Sequence, residues 1–112
     1  MAMAKALAGQ VADKRALARD EVHYRARAYG PDAQQVSLLI VNLSALGLMA
    51  RAEIPYGEGE RLRVTLPVVG VVVAEIRWSL GGRIGCELDQ PIDLADYYEV
   101  LAVMVRGNRG GP

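Results

Sequence analysis

Val36-Ser37-Leu38-Leu39-Ile40-Val41-Asn42-Leu43-Ser44-Ala45-Leu46-Gly47-Leu48-Met49-Ala50 reads as a strand, a tight polar bend and a second strand. Within the bend, Asn42 and Ser44 offer short side chains to the local backbone or to an incoming ligand. Gly47 suits a positive φ or a close approach by another group. An ordinary hairpin carries similar letters, so the bend acquires meaning only from its setting.

Working outward, residues 22–29 alternate, with Val22, Tyr24, Ala26 and Ala28 on one face and His23, Arg25, Arg27 and Tyr29 on the other. Gly30-Pro31-Asp32 is a turn signal, and the strand after it covers about 35–41. The third strand spans about 46–52, followed by a loop over 54–60 with two glycines and a proline. Residues 61–66 place Leu62, Val64 and Leu66 inward, and 67–70 turn. The alternation over 71–78 puts Val72, Ala74, Ile76 and Trp78 on one face, with Glu75 and Arg77 opposite. Ser79-Leu80-Gly81-Gly82 makes the next bend before a strand over 83–88. Six short strands separated by turns predict a small antiparallel barrel or sandwich. In the tail, Asp93 suits a helix cap, and Leu94, Tyr97, Tyr98, Leu101 and Val105 recur at helical spacing up to Gly107. That helix is expected to lid the barrel or to pack on a second copy, giving a possible homodimer.

A chain of 112 residues, 52% hydrophobic and 23% charged, makes one soluble globular domain. No apolar run approaches the length of a membrane span, and residues 1–17 are punctuated by Lys5, Asp13, Lys14 and Arg15, unlike a secretory leader. A cytoplasmic protein without membrane insertion is the expectation. Cys86 is the only cysteine and His23 the only histidine, which argues against a disulfide and against metal chemistry. Cys86, alternating with Ile84 and Leu88, reads as a small buried hydrophobe.

The net charge is zero but uneven. Residues 1–30 hold six cations and three anions, which leaves seven cations and ten anions for the rest of the 13 of each sign. A duplex-binding protein is basic overall, so no duplex nucleic acid is expected. A basic arm on a neutral body suits a small anionic ligand or an acidic partner surface.

Within that arm, Arg15-Ala16-Leu17-Ala18-Arg19 sets two guanidinium groups four residues apart, able to close on one ligand. Alone the pair means nothing, because the arginine content predicts about one such pair by chance. Its setting, before the first strand and one strand ahead of the polar bend, is the informative part. Here the chain resembles the PilZ domain family, whose signature is RxxxR, roughly two dozen residues, then [D/N]xSxxG. Arg15 and Arg19 match the first motif; Asn42, Ser44 and Gly47 match the second, with Asn42 where many members have Asp. The strand ending near Trp78, the Gly81-Gly82 bend and the last strand also resemble the family, and the likeness covers residues 14–106.

The resemblance implies an all-β fold with a C-terminal helix, a six-stranded antiparallel split β-barrel of Greek-key type. Residues 1–21 would form a flexible arm, 22–92 the barrel, 93–106 the helix and 107–112 a loose tail. It also implies a bacterial second-messenger receptor that binds cyclic di-GMP without catalysis and signals to an effector protein. Arg15 and Arg19 would grip guanine or phosphate, and Asn42 and Ser44 would meet guanine beside them. Gly47 would leave room for the ligand. Lys14 bears on how many ligand molecules bind, and Trp78 reads as a core aromatic or, alternatively, as a wall of the site.

Three competing readings stand beside this one. Ser44 lacks a Gly-x-Ser-x-Gly setting and His23 lacks an acid–base partner, so an enzyme is not expected. Gly81-Gly82-Arg83-Ile84-Gly85 lacks the Lys-Ser/Thr ending of a phosphate loop and reads as a hairpin bend. A barrel binding single-stranded nucleic acid wants exposed aromatics, of which Tyr29 is one candidate. A degenerate adaptor would keep the fold, bind a protein and ignore the nucleotide.

Overall fold

The computed structural model describes residues 18–110, so Lys14 and Arg15 lie outside the described residues, as does most of the expected arm. The six expected strands form: β1 (Asp20–Tyr29), β2 (Gln35–Leu43), β3 (Gly47–Arg51), β4 (Arg61–Leu66), β5 (Gly70–Leu80) and β6 (Arg83–Leu88). One helix, α1 (Leu94–Gly110), follows them.

Every pairing is antiparallel, and the sheet closes in the order β1-β2-β3-β6-β5-β4. After three hairpin-linked strands, the fourth returns to lie beside the first, which is the Greek-key arrangement. Closure leaves no sheet edge, and the residues that alternate inward fill the interior. Leu38, Ile40, Leu62, Val64, Ala74 and Ile76 are all fully buried. Burying a side chain of this size favours folding by about 1.5–3 kcal/mol.

The turns follow their residues. Between β1 and β2, Gly30 accepts from the Ala33 N–H at 2.9 Å, and the Tyr56 hydroxyl donates to Asp32 Oδ1 at 2.5 Å, tying this turn to the β3–β4 loop. Gly81 and Gly82 both have positive φ, 62° and 77°, as a two-residue hairpin with matching twist requires.

Helix α1 plugs one end of the barrel with Tyr97, Val100 and Met104, all buried. Its other apolar stripe, Tyr98 and Val105, is exposed. The helix runs through Gly107 to Gly110, so the expected loose tail from 107 is corrected over 107–110: a helical glycine costs only about 1 kcal/mol relative to alanine and does not by itself end a helix. No helix among the described residues is long and apolar enough to cross a membrane.

Candidate functional site

Strict alternation along β2, with Ile40 buried, would turn Asn42 into the core. The ladder does otherwise. Ile40 faces Ala50 and Asn42 faces Met49, so Val41 is an extra residue on β2 and Asn42 swings outward. A second bulge acts on β5. Ile76 faces Cys86 and Trp78 faces Gly85, leaving Arg77 as the extra residue. The core placement expected for Trp78 is therefore corrected: the bulge reverses the parity, and the indole is 41% exposed. A third irregularity, between Glu21 and Tyr24 of β1, sits on the same part of the barrel.

These bulges bring one outward-facing row across five strands: Glu21 opposite Asn42, Asn42 opposite Met49, Met49 opposite Gly85 and Gly85 opposite Trp78. Gly85 is required there. A Cβ on it would come within 2.1 Å of the Trp78 indole nitrogen, so the ring rests on bare backbone.

Arg19 reaches this row from just before β1. Its Nη1 donates to Asn42 Oδ1 at 2.8 Å, across 23 residues of sequence. The Asn42 amide also makes a long contact to Met49 Sδ at 3.7 Å. A cavity of about 310 Å³ is bordered by Arg19, Ser44, Gly47, Trp78, Gly85 and Cys86. A second depression, bordered by Asn42, Met49 and Arg51 among others, adjoins it along the row. Arg19, Asn42, Ser44, Gly47 and Trp78, five of the expected site residues, thus gather on one face.

Ser44 and Gly47 are both engaged within the protein itself. Ser44 is buried, and its Oγ accepts from the Leu46 N–H at 3.2 Å and the Gly47 N–H at 3.1 Å. Its hydroxyl shapes the bend rather than facing outward. Gly47 serves close approach: a Cβ there would lie 2.3 Å from the Cys86 carbonyl oxygen. Burial pushes the Cys86 thiol up to about 12, so this sulfur beside the cavity stays protonated and is no nucleophile near neutral pH.

A support beneath the site was not legible from the helical pattern, where Tyr97 reads as packing alone. Its hydroxyl lies 2.5 Å from Asp20 Oδ2 and 2.9 Å from the Leu43 carbonyl oxygen. Asp20 follows Arg19 and Leu43 follows Asn42. One phenol therefore holds the chain on both sides of the Arg19–Asn42 contact. The arrangement offers a guanidinium, an amide and an indole face to a planar polar ligand. No known protein-family model matches this chain, and no curated protein matches it significantly.

Proposed function

We propose that this protein is a receptor for cyclic di-GMP that signals to an effector protein from the cytoplasm. The observation that carries the reading is the 2.8 Å contact of Arg19 with Asn42, which joins the arm to the polar bend. The ligand is a dianion with two guanines, and it suits the groups present. A guanidinium grips the N7/O6 edge of guanine or a phosphate, and an exposed indole stacks on a base. Arg15 would join Arg19 by the RxxxR resemblance, Lys14 would influence ligand number, and Ser44 would act through the shape of the bend. Each residue that the ligand fixes would cost about 1–2 kcal/mol, which several charge-assisted contacts must exceed, and the bound ligand would itself change the surface offered to the effector.

The Asn42 carbonyl and the Ser44 hydroxyl are already partnered within the protein, and this favours a second reading, an adaptor that binds a protein without nucleotide. Calorimetric titration with cyclic di-GMP separates the two. The receptor binds at micromolar concentration or tighter, and Arg19→Ala or Asn42→Ala weakens binding roughly tenfold to hundredfold with the fold intact. No saturable binding at millimolar ligand leaves the adaptor. The homodimer through α1 rests on the exposed Tyr98 and Val105, and sedimentation of the wild type against Tyr98→Glu tests it.

A further inference from the structure

Two residues further along the strands from the Asn42–Trp78 row lies a second outward row. Arg25 faces Leu39, Leu39 faces Arg51, Arg51 faces Arg83 and Arg83 faces Leu80. Arg51 and Arg83 are direct cross-strand neighbours, a position where Cβ atoms sit about 4.5–5.5 Å apart and like charges destabilise the sheet. All three arginines are exposed and border one cavity of about 560 Å³, with Ser37, Leu39 and the Gly81-Gly82 bend. Glu53 also borders it, yet among the described residues no carboxylate lies within ion-pair distance of Arg25, Arg51 or Arg83. Arg25 Nη1 donates to Ser37 Oγ at 3.3 Å, which leans it along the strand toward the cavity. Elsewhere on the barrel, Arg61 pairs with Glu75 and Asp89 and Arg77 with Glu87, while Arg27 and Arg63 are exposed without an ion pair among the described residues. What sets Arg25, Arg51 and Arg83 apart is that they border one cavity and that two of them stand directly opposite each other.

We propose that Arg25, Arg51 and Arg83 form a binding site for a phosphoryl oxyanion, on the same barrel face as the Asn42–Trp78 row but separable from it. A tetrahedral oxyanion has acceptors in several directions, so it bridges guanidinium groups from three strands and removes the Arg51–Arg83 repulsion on binding. Leu39 gives the site an apolar floor, and Glu53 at the Gly81-Gly82 bend is the one carboxylate on its border, outnumbered by the three guanidinium groups. Leu39, Arg51 and Arg83 also border the depression beside Asn42, so the two rows share one wall; Arg19, which borders only the cavity on the Trp78 side, distinguishes them.

The repulsion gives the test a sign that a merely solubilising patch would not produce. Melting is measured with low-millimolar sodium pyrophosphate against sodium chloride of equal ionic strength, concentrations too low for general salting-out stabilisation. At about ten times its dissociation constant, pyrophosphate raises the wild-type Tm by about 5 °C or more. Arg51→Gln and Arg83→Gln have a Tm at or above wild type without the anion and lose the pyrophosphate shift. Arg19→Ala keeps it, so this site and the cyclic di-GMP reading fail separately. Guanosine diphosphate distinguishes the source: an equal shift marks the free anion as ligand, and the same shift at tenfold lower concentration marks a phosphoryl group carried on a nucleotide. The proposal is overturned if pyrophosphate does not raise the wild-type Tm, if chloride reproduces the shift, or if both Gln variants retain it.

Discussion

Gly47 and Trp78 show how much single residues decide here. The space where a Gly47 side chain would go is filled by the Cys86 carbonyl oxygen, part of the β3–β6 ladder that cannot move without breaking pairing. Gly47→Ala should therefore destabilise the fold by about 2 kcal/mol or more, read as a lowered urea midpoint. Trp78 predicts the opposite split. Exposed on Gly85, its replacement by alanine should change stability by less than about 1 kcal/mol while weakening cyclic di-GMP roughly tenfold to hundredfold, the worth of one base stacked on an aromatic ring. It is the only tryptophan, so fluorescence quenching on titration reports that contact without a label. Gly85→Ala, which displaces the indole by its new methyl group, should lose the quenching as well.

Among the elements, α1 matters most to the site because it is joined to the sheet where the arm begins. The Tyr97 hydroxyl meets Asp20 and the Leu43 carbonyl, one residue from each partner of the Arg19–Asn42 contact. Tyr97→Phe keeps the packing and removes the single hydroxyl proton shared between Asp20 Oδ2 and the Leu43 carbonyl. The expected loss is about 2 kcal/mol, with faster hydrogen exchange at the first residues of β1 and the last of β2. Uniform exchange changes across the barrel would mean that the phenol acts on global stability alone. The strands themselves were readable from alternation at every inward position of β1 and β4. Alternation failed at Trp78 for the same reason that β2 carries Asn42 outward. A bulge adds a residue to one strand of a pair, and only the register against the neighbouring strand reveals it.

For the whole molecule, the titrating groups predict an asymmetric pH dependence. The Cys86 thiol is raised from 9.0 to about 12 by burial, and the Tyr56 phenol from 10.0 to about 12 by the Asp32 carboxylate beside it. Burial and Asp20 raise the Tyr97 phenol as well. A group whose folded value is raised contributes stability in full below its unfolded value and loses it as pH climbs toward the folded one. The urea midpoint should accordingly hold steady from about pH 7 to 8.5 and fall beyond, with the thiol eroding stability first and the phenols following. Cys86→Ala should flatten the first part of that fall. At the acid end, the Tyr56 hydrogen bond holds the Asp32 carboxyl below its ordinary 3.8, so its contribution disappears only as pH drops through that range.

Residue order alone determined the six strands, the terminal helix, the inward set of apolar side chains and the spacing that sets a basic arm before a polar bend. Those features follow from period and turn chemistry, which act over a few residues. Tertiary structure alone decided that Asn42 and Trp78 face outward in one row, that Ser44 spends its hydroxyl inside the bend, and that Arg51 stands directly against Arg83. Each of these depends on which residue of a distant strand lies opposite, and the register between strands is set by the packing of the closed barrel as a whole.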